Sequence, residues 1–149
     1  MRAVVQRVKS ANVKIDNKIV GEIEQGILLL LGIEDTDEEK DLEYMIEKVP
    51  NLRIFEDEEG KMNKSLLDIK GSILVISQFT LLADARKGRR PSFTAAAPPE
   101  KAIPMYEKFI KSMKEKNIVT ETGEFGADMA VQLINDGPVT ILLDSKKVF

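Results

Sequence analysis

The sequence predicts one α/β domain over residues 1–149, with a mixed, mostly antiparallel sheet in a barrel-like core and two main helices. Short β-branched runs alternate with turn residues near both ends of the chain, and two longer segments carry apolar residues at helical spacing. No repeat, linker or low-complexity tract divides the chain. A length of 149 residues with 43% hydrophobic content is enough to bury one core without disulfides.

The first third of the chain predicts strands joined by tight turns. Residues 2–8 and 11–15 are rich in valine, and Asp16-Asn17 favours a hairpin turn that returns the chain antiparallel over 18–24. The apolar run Ile27 to Leu31, bounded by Gly26 and Gly32, predicts a strand over residues 27–33 that is buried on both faces.

Two amphipathic helices follow from apolar spacing. For the first, Asp35-Thr36-Asp37 offers capping side chains, Pro50 marks the end, and the apolar face comprises Leu42, Met45, Ile46 and Val49. The second opens at Pro98-Pro99-Glu100 and has Pro104 in or near its first turns. Its apolar face comprises Ile103, Tyr106, Phe109, Ile110 and Met113.

The remaining strands lie on either side of the second helix. Residues 73–76 form a buried strand that runs into Ser77-Gln78-Phe79-Thr80-Leu81. Alternation of Met129, Val131 and Leu133 predicts a later strand. Asn135-Asp136-Gly137-Pro138 would turn that strand, and residues 139–143 would return antiparallel.

Composition excludes several kinds of chemistry. The chain has no histidine and no cysteine, so it lacks the imidazole base of a Ser-His-Asp site and the thiolate of a cysteine nucleophile or zinc site. A metal site would need carboxylates and would suit Mg²⁺ or Ca²⁺. No acidic cluster has such spacing, so we expect no metal and no cofactor.

The chain is expected to be cytoplasmic. No apolar run approaches the roughly 20 residues that cross a bilayer. After Arg2 the chain is charged again at Arg7, so no apolar segment of a signal peptide follows the first charge.

Positive charge is concentrated in one segment, although the net charge is −3. Arg86, Lys87, Arg89 and Arg90 surround Gly88. Such a run is typical of a solvated loop, and it also suits contacts to phosphates. The sequence alone leaves both interpretations open.

Three stretches contain residue types that are unusual for purely structural segments. Ser77 to Leu81 places hydroxyls and an amide at a strand end, Asn135 to Thr140 puts Gly-Pro between predicted strands, and Thr122 to Met129 flanks Phe125 with glycines. By pattern alone, local hydrogen bonds, an ordinary turn and core packing are the favoured explanations of the three.

Together these stretches resemble the D-aminoacyl-tRNA deacylase family of bacteria and eukaryotes, often called the D-Tyr-tRNA deacylases. Both signature motifs are complete, and the resemblance covers essentially the whole chain: Ser77-Gln78-Phe79-Thr80-Leu81 and Gly137-Pro138-Val139-Thr140. Supporting matches include Val5-Gln6-Arg7-Val8, Lys87-Gly88-Arg89-Arg90-Pro91-Ser92-Phe93 and Phe125-Gly126-Ala127-Asp128-Met129.

The resemblance implies a homodimer with two sites at the subunit interface. Gly137-Pro138 would be cis and reach into the partner's pocket, opposite Ser77, Gln78, Phe79 and Thr80. Phe125 and Met129 would lie near the adenosine and aminoacyl end, with Ala97 lining the pocket. Arg7 would orient the Gly-Pro carbonyls.

The implied reaction is hydrolysis of the ester that joins a D-amino acid, or glycine, to tRNA. Because the isomers share nearly every contact, a rigid backbone at Gly137-Pro138 would reject the L-isomer. The tRNA 2′-OH, or alternatively Thr80 as nucleophile, would promote attack. Arg86, Lys87, Arg89 and Arg90 become candidates for tRNA phosphate contacts. A related deacylase for another mischarged tRNA, or a non-catalytic RNA-binding module, remains open.

Overall fold

A computed structural model describes all residues 1–149 and places strand β1 (Arg2–Ile15) at the centre of the fold. β2 (Lys18–Ile23) returns antiparallel through Asp16 and Asn17, which both have the positive φ of a hairpin turn. β3 (Gly26–Gly32) pairs antiparallel with the first half of β1. β8 (Ala130–Asp144) pairs antiparallel along the whole other side of β1.

Two parallel strands complete the main sheet. β6 (Ser72–Ser77) pairs with β3, and β7 (Val119–Thr122) pairs with β6. β2 in turn lies against β6 and β7, so the sheet curls almost into a barrel. The predicted mixed, mostly antiparallel sheet and barrel-like core are therefore confirmed. A separate hairpin of β4 (Phe55–Glu56) and β5 (Met62–Lys64) was not predicted, and neither was β7.

Both main helices form, with corrected ends. α1 (Glu39–Asn51) begins after Glu38, whose N–H donates to Asp41 Oδ2 at 2.8 Å. The predicted cap at residues 35–37 was wrong because Asp37 instead accepts from the N–H of Glu34 and pairs with the Met1 amine. Pro50 lies within the last turn of α1, not after it.

The second main helix, α3 (Pro99–Glu115), contains Pro104 in its second turn. A short helix, α2 (Leu66–Ile69), is capped by the Ser65 side chain, which accepts from the N–H of Asp68. No helix combines the length and the apolar character needed to cross a membrane.

Two strand predictions were wrong in the same way. Residues 2–8 and 11–15 form one strand, and residues 130–144 form one strand with no reversal. The register explains the second case: Gln6 pairs with Thr140 and Val8 with Asn135, so residues 136–139 have no partners on β1. The turn-forming residues therefore make a bulge, which we call the β8 bulge (residues 136–139).

The two faces of the sheet bury separate cores. The larger core lies between the sheet and the helices and includes Val5, Leu29, Leu42, Met45, Phe109 and Met113. The smaller core fills the curled side and comprises Val8, Ala11, Val13, Ile23, Leu28, Leu74 and Ile76. Side chains from both cores meet where β3 and β6 end, and a cleft opens there.

Candidate active site

The cleft lies at the carboxyl ends of the parallel strands β3 and β6, where Leu31 pairs with Ser77. It encloses about 330 Å³, and apolar side chains predominate in its lining. The lining residues are Leu31, Ile33, Ile76, Ser77, Gln78, Phe79, Ala97, Ala102, Tyr106, Phe125, Gly126, Ala127, Asp128, Met129 and Val131. A concave, mostly apolar site with a few polar groups is typical of small-ligand recognition.

The near wall of the cleft is the first signature motif. β6 ends at Ser77, and the Gln78 N–H donates to the Leu31 carbonyl at 2.8 Å. The chain then makes a 3₁₀ turn over Phe79–Leu82 in place of further strand. Gln78 Nε2 donates to Thr80 Oγ1 at 2.5 Å, which fixes the threonine side chain.

The far wall comes from the loop that precedes β8. Phe125, Gly126, Ala127, Asp128 and Met129 all line the cleft. Gly126 has φ of +79°, a conformation that favours glycine, and this lets the loop turn around the cleft. The structure therefore places this stretch at the cleft, and the role that the resemblance implies for Phe125 and Met129 stays a prediction.

Tyr106 of α3 forms the back of the cleft. Its hydroxyl donates to the Val75 carbonyl at 2.7 Å, and its ring centroid lies 6.3 Å from that of Phe125. Burial raises the pKa of this hydroxyl, so it remains a neutral donor. The sequence identified Tyr106 only as part of a helix face, because nothing local indicates that this face meets Phe125.

Ala97 completes the set of predicted residues in the cleft. Its N–H donates to the Ile33 carbonyl at 2.9 Å, which holds the segment before α3 against the end of β3. The structure thus brings together Ser77, Gln78, Phe79, Ala97, Phe125 and Met129. Thr80 is held beside the cleft by Gln78 and does not line it.

The second signature motif lies elsewhere. The Gly137-Pro138 peptide bond is cis, and both residues are exposed in the β8 bulge, outside the lining of the cleft of their own chain. Arg7, which is 5% exposed, donates through Nε to the Asp136 carbonyl at 3.0 Å and through Nη1 to the Ile54 carbonyl at 2.8 Å.

Asn135 holds the bulge from its other side. Its Oδ1 accepts from the Val139 N–H at 2.9 Å, and its Nδ2 donates to the Val139 carbonyl at 3.2 Å. With Arg7, this amide fixes both ends of the β8 bulge. Sequence reasoning did not select Asn135, although an amide before Gly-Pro can replace missing ladder bonds.

Comparisons with known proteins agree over the full length. The family model for D-Tyr-tRNA(Tyr) deacylase matches residues 4–144. The chain belongs to this family. Proteins called D-aminoacyl-tRNA deacylase from Thermosipho africanus and Clostridium tetani are each 60% identical over 149 residues, with 100% of both chains covered. The counterpart from Thermosipho melanesiensis is 63% identical over 150 residues, again with 100% of both chains covered.

Solved structures support the same fold. One named c-Myc DNA Unwinding Element Binding Protein has a TM-score of 0.91 and 44% identity, covering 97% of this chain and 98% of its own. A probable eukaryotic D-amino acid tRNA deacylase superposes with a TM-score of 0.80 at 17% identity, covering 95% and 97%, and shows the fold alone. The expected class, a hydrolase of ester bonds, is confirmed by family membership.

The basic segment forms a closed loop beside the cleft. Asp84 and Ser92 exchange two backbone hydrogen bonds, of 2.7 and 2.9 Å, at its base. The Asp84 carboxylate accepts from Arg86 Nε and Nη2 at 2.8 and 2.7 Å, and this guanidinium holds the pKa of Asp84 well below its usual range. Lys87, Arg89 and Arg90 are exposed and form no ion pair. The four predicted cations are therefore not equivalent.

No group of three or more carboxylates is placed to hold a metal ion. The chemistry available at the cleft consists of the amide and hydroxyl groups of Ser77, Gln78 and Thr80, the Tyr106 hydroxyl and the Asp128 carboxylate. The amide and hydroxyl groups can donate hydrogen bonds to developing charge, and the carboxylate can accept from water and position it.

Proposed function

We propose that this protein hydrolyses the ester between a D-amino acid and the 3′ end of tRNA, releasing the free D-amino acid and tRNA, and that it also accepts glycyl-tRNA. The observation that carries the proposal is the cleft in which Ser77, Gln78 and Phe79 face Phe125 and Met129, in a chain of the deacylase family. A cleft of about 330 Å³ suits one nucleoside with a short acyl group.

In this proposal Phe125 and Met129 hold the terminal adenosine. An aromatic ring and a thioether give a polarizable surface on which a base packs well. Ala97, which is 9% exposed, leaves room at the opposite rim. The ester carbonyl then lies toward Ser77 and the 3₁₀ turn.

The proposed assembly is a homodimer with both sites at the interface. β8 pairs only with β1, so one edge of its 15 residues is free to meet another chain. Ile134 and Leu142, on either side of the β8 bulge, are 56% and 58% exposed. Since Gly137 and Pro138 project from this edge and do not line their own cleft, a second copy is the chain that they can serve.

The β8 bulge of the partner would form a rigid wall that selects the D-isomer. The carbonyls of Gly137 and Pro138 would accept from the α-ammonium of the substrate, so an L side chain would collide with backbone. A 10⁴-fold preference corresponds to about 5–6 kcal/mol. Arg7 and Asn135 give the main chain the stiffness that such a preference requires. Glycine has no side chain to collide and would enter.

Cleavage would proceed by attack of water on the ester carbon. The carbonyl oxygen becomes an oxyanion that the N–H groups of Phe79 and Thr80 stabilise, because the first N–H groups of a helical turn have no partner within it. The 3′-oxygen leaves with a proton, and the water supplies the hydroxyl of the free acid. Without an imidazole, the 2′-OH of the terminal ribose would activate the water.

Thr80 as a covalent nucleophile is the second candidate mechanism. This mechanism is supported by the hydrogen bond from Gln78, which holds the Thr80 hydroxyl in one orientation. However, Gln78 donates to this oxygen and cannot remove its proton, and a threonine nucleophile needs an adjacent base. The geometry therefore favours a supporting role for Thr80.

The decisive assay incubates the protein with D-Tyr-tRNA and L-Tyr-tRNA in parallel and follows the loss of labelled amino acid. We expect rapid hydrolysis of the D-ester only. A panel including glycyl-tRNA and L-alanyl-tRNA separates this activity from that of a related deacylase. Binding of tRNA without hydrolysis of any ester would instead identify a non-catalytic RNA-binding module.

Replacing Thr80 tests the mechanism. Thr80→Ala should slow turnover without abolishing it, by less than the roughly 100- to 1000-fold that loss of a direct oxyanion donor costs, since the backbone N–H donors are kept. A substrate that ends in 2′-deoxyadenosine should be nearly inert with the unaltered protein. Full activity on that substrate, together with an inactive Thr80→Ala variant, would instead support the covalent route.

A further inference from the structure

Two phenylalanines, Phe79 and Phe93, form an exposed aromatic platform at the rim of the cleft. Their ring centroids are 5.5 Å apart with an interplanar angle of 70°, an edge-to-face contact. Phe79 is 55% exposed and lines the cleft, whereas Phe93 is 39% exposed and lies beyond the lining. Two large apolar rings at the mouth of a site present a surface for a flat ligand.

The platform is held in place from both sides of Phe93. Ser92 is paired to Asp84 at the base of the basic loop. On the other side, the Asp35 N–H donates to the Ala95 carbonyl at 2.9 Å, and Ala97 is bonded to Ile33. Phe93 is thus fixed relative to the cleft and to the loop.

Unpaired positive charge adjoins the platform. Lys87, Arg89 and Arg90 precede Phe93 by three to six residues and form no ion pair, in contrast to Arg86. The cleft adjoins the two rings through Phe79, and the free cations lie in the loop whose base, Ser92, immediately precedes Phe93. Exposed aromatic side chains beside cations are the arrangement that binds single-stranded nucleic acid, in which bases stack and phosphates meet the cations.

We propose that the Phe79–Phe93 platform binds, by stacking, the base of the unpaired nucleotide that precedes the esterified terminal nucleotide of the substrate RNA. This inference rests on the proposed function, because the terminal nucleotide must fill the cleft for its neighbour to cross the rim. The phosphate between the two nucleotides then points toward Arg89 and Arg90. Stacking tolerates any base, so the platform contributes affinity and not sequence preference.

The direct test measures stacking by fluorescence. The probe is a deacylated tRNA that carries 2-aminopurine immediately before its terminal adenosine, since the fluorescence of this base falls when it stacks. We expect quenching with the unaltered protein and with Phe93→Trp, and a loss of most of the quenching with Phe93→Leu. Phe149→Leu, at another exposed phenylalanine outside the cleft, is the matched control and should quench normally.

A kinetic test compares D-Tyr-tRNA with 3′-O-D-tyrosyl-adenosine, which has no preceding nucleotide. Loss of one stacked base corresponds to about 5- to 150-fold in affinity. Phe93→Leu should therefore lower the ratio of kcat/KM for the tRNA to that for the adenosine ester by about tenfold, through KM. Phe93→Trp should restore the ratio.

The outcomes separate the two proposals. An unchanged ratio together with full quenching in folded Phe93→Leu would overturn the platform while leaving the deacylase function intact. If the unaltered protein hydrolysed neither ester, the proposed function itself would fail. Melting temperatures of the variants verify that each is folded during the assays.

Discussion

At the residue scale, Gly137 is a position in the β8 bulge at which the structure does not tolerate a side chain. Its φ is +129°, and a Cβ there would lie 2.8 Å from Val139 Cγ2 and 3.0 Å from Arg7 Nη2. The second contact matters more, because Arg7 is buried and cannot move without losing its bonds to the Asp136 and Ile54 carbonyls. A methyl group at Gly137 would therefore displace the carbonyls that the proposed wall presents.

Gly137→Ala should lower kcat/KM for D-Tyr-tRNA by about 100-fold or more, since a misplacement of about 1 Å can cost that much. The matched control is Gly60→Ala, which also has positive φ (+76°) but has nothing within 4 Å of the added carbon. Both variants should lose about 1 kcal/mol or more of stability from the unfavourable backbone, and only the first should lose activity. Steady-state kinetics and thermal unfolding check this. Equal activity of the two variants would contradict the proposed role of the Gly137-Pro138 backbone as the wall of the site.

At the element scale, β8 carries the proposed interface as well as the bulge. A strand of 15 residues with one unpaired edge and exposed apolar side chains is prone to pair with another chain. Val119, which is 63% exposed, lies on β7, the last strand in the order β2-β1-β3-β6-β7 of the main sheet and distant in that order from β1, with which β8 pairs. The two strands therefore offer a comparison between similar exposed positions.

Ile134→Lys should convert the proposed dimer into a monomer, because a lysine buried in an apolar interface loses its hydration. Val119→Lys, with the same change on β7, should remain dimeric. Sedimentation velocity gives the oligomeric state, and the deacylation assay gives activity. We expect the Ile134→Lys monomer to be inactive, since each cleft would lack the bulge of its partner. A monomer that still hydrolyses D-esters selectively would contradict the cross-subunit site.

Sequence patterns predicted the elements whose signals are local. The apolar spacing of α1 and α3 placed both helices, and the Asp16-Asn17 turn placed the first hairpin. The sequence misassigned Asn135 to Pro138 as a turn, because a bulge and a hairpin use the same residue types and only the pairing with β1 distinguishes them. β7 was missed since Val119–Thr122 is short and gains its pairing from β6.

The candidate site shows the same difference between residues with a local sequence signal and residues whose role depends on the fold. The motif residues Ser77, Gln78 and Phe79 could be found in the sequence because they depart from the buried strand before them. Tyr106 could not, since its role depends on a partner 31 residues away that only the fold brings close. Asn135 bonds to Val139, four residues away, and was missed because its stretch was interpreted as a hairpin turn.

At the scale of the whole molecule, charge is distributed unevenly. The chain has a net charge of −3, yet the loop beside the cleft presents three unpaired cations. A polyanion would therefore bind through local contacts and not through the overall field. The position of a positive charge should therefore affect the binding of tRNA more than the net charge of the chain does.

Arg89→Gln/Arg90→Gln should raise KM for D-Tyr-tRNA and flatten its salt dependence. Loss of two phosphate contacts should make the slope of log affinity against log salt less negative by about 1.4–1.8. Lys111→Gln/Lys114→Gln, at exposed positions near the end of α3, removes the same charge elsewhere and should leave the slope unchanged. Titrations between 50 and 200 mM salt, roughly the range in which such contacts weaken, measure both. Identical slopes of log affinity against log salt for the two double variants would indicate that the loop is solvated and does not contact phosphates.

A second whole-molecule feature joins distant parts of the chain around Asp41. Its Oδ1 accepts from Ser145 Oγ at 2.7 Å, and its Oδ2 accepts from the Glu38 N–H. Ser145 also accepts from the Met1 amine at 2.9 Å. Burial acts to raise the pKa of this carboxyl, but the hydrogen bonds from Glu38 and Ser145 and the nearby amine outweigh it, so the pKa is lowered.

Asp41 should therefore contribute to stability in a pH-dependent way. A carboxyl whose pKa is lower in the folded state stabilises fully above its unfolded pKa, near 3.9, and this contribution is lost as the pH falls through the lower folded value. Asp41→Asn should cost about 1.5–3 kcal/mol at pH 7, the scale of a hydrogen bond to a charged group, and should flatten the decline in melting temperature below about pH 5. Asp16→Asn is the control, because Asp16 is exposed in a turn that asparagine adopts equally well. Melting curves from pH 7 to about pH 3 measure this effect. If the melting temperature of Asp41→Asn fell as steeply with pH as those of the unaltered protein and Asp16→Asn, groups other than Asp41 would cause the acid sensitivity.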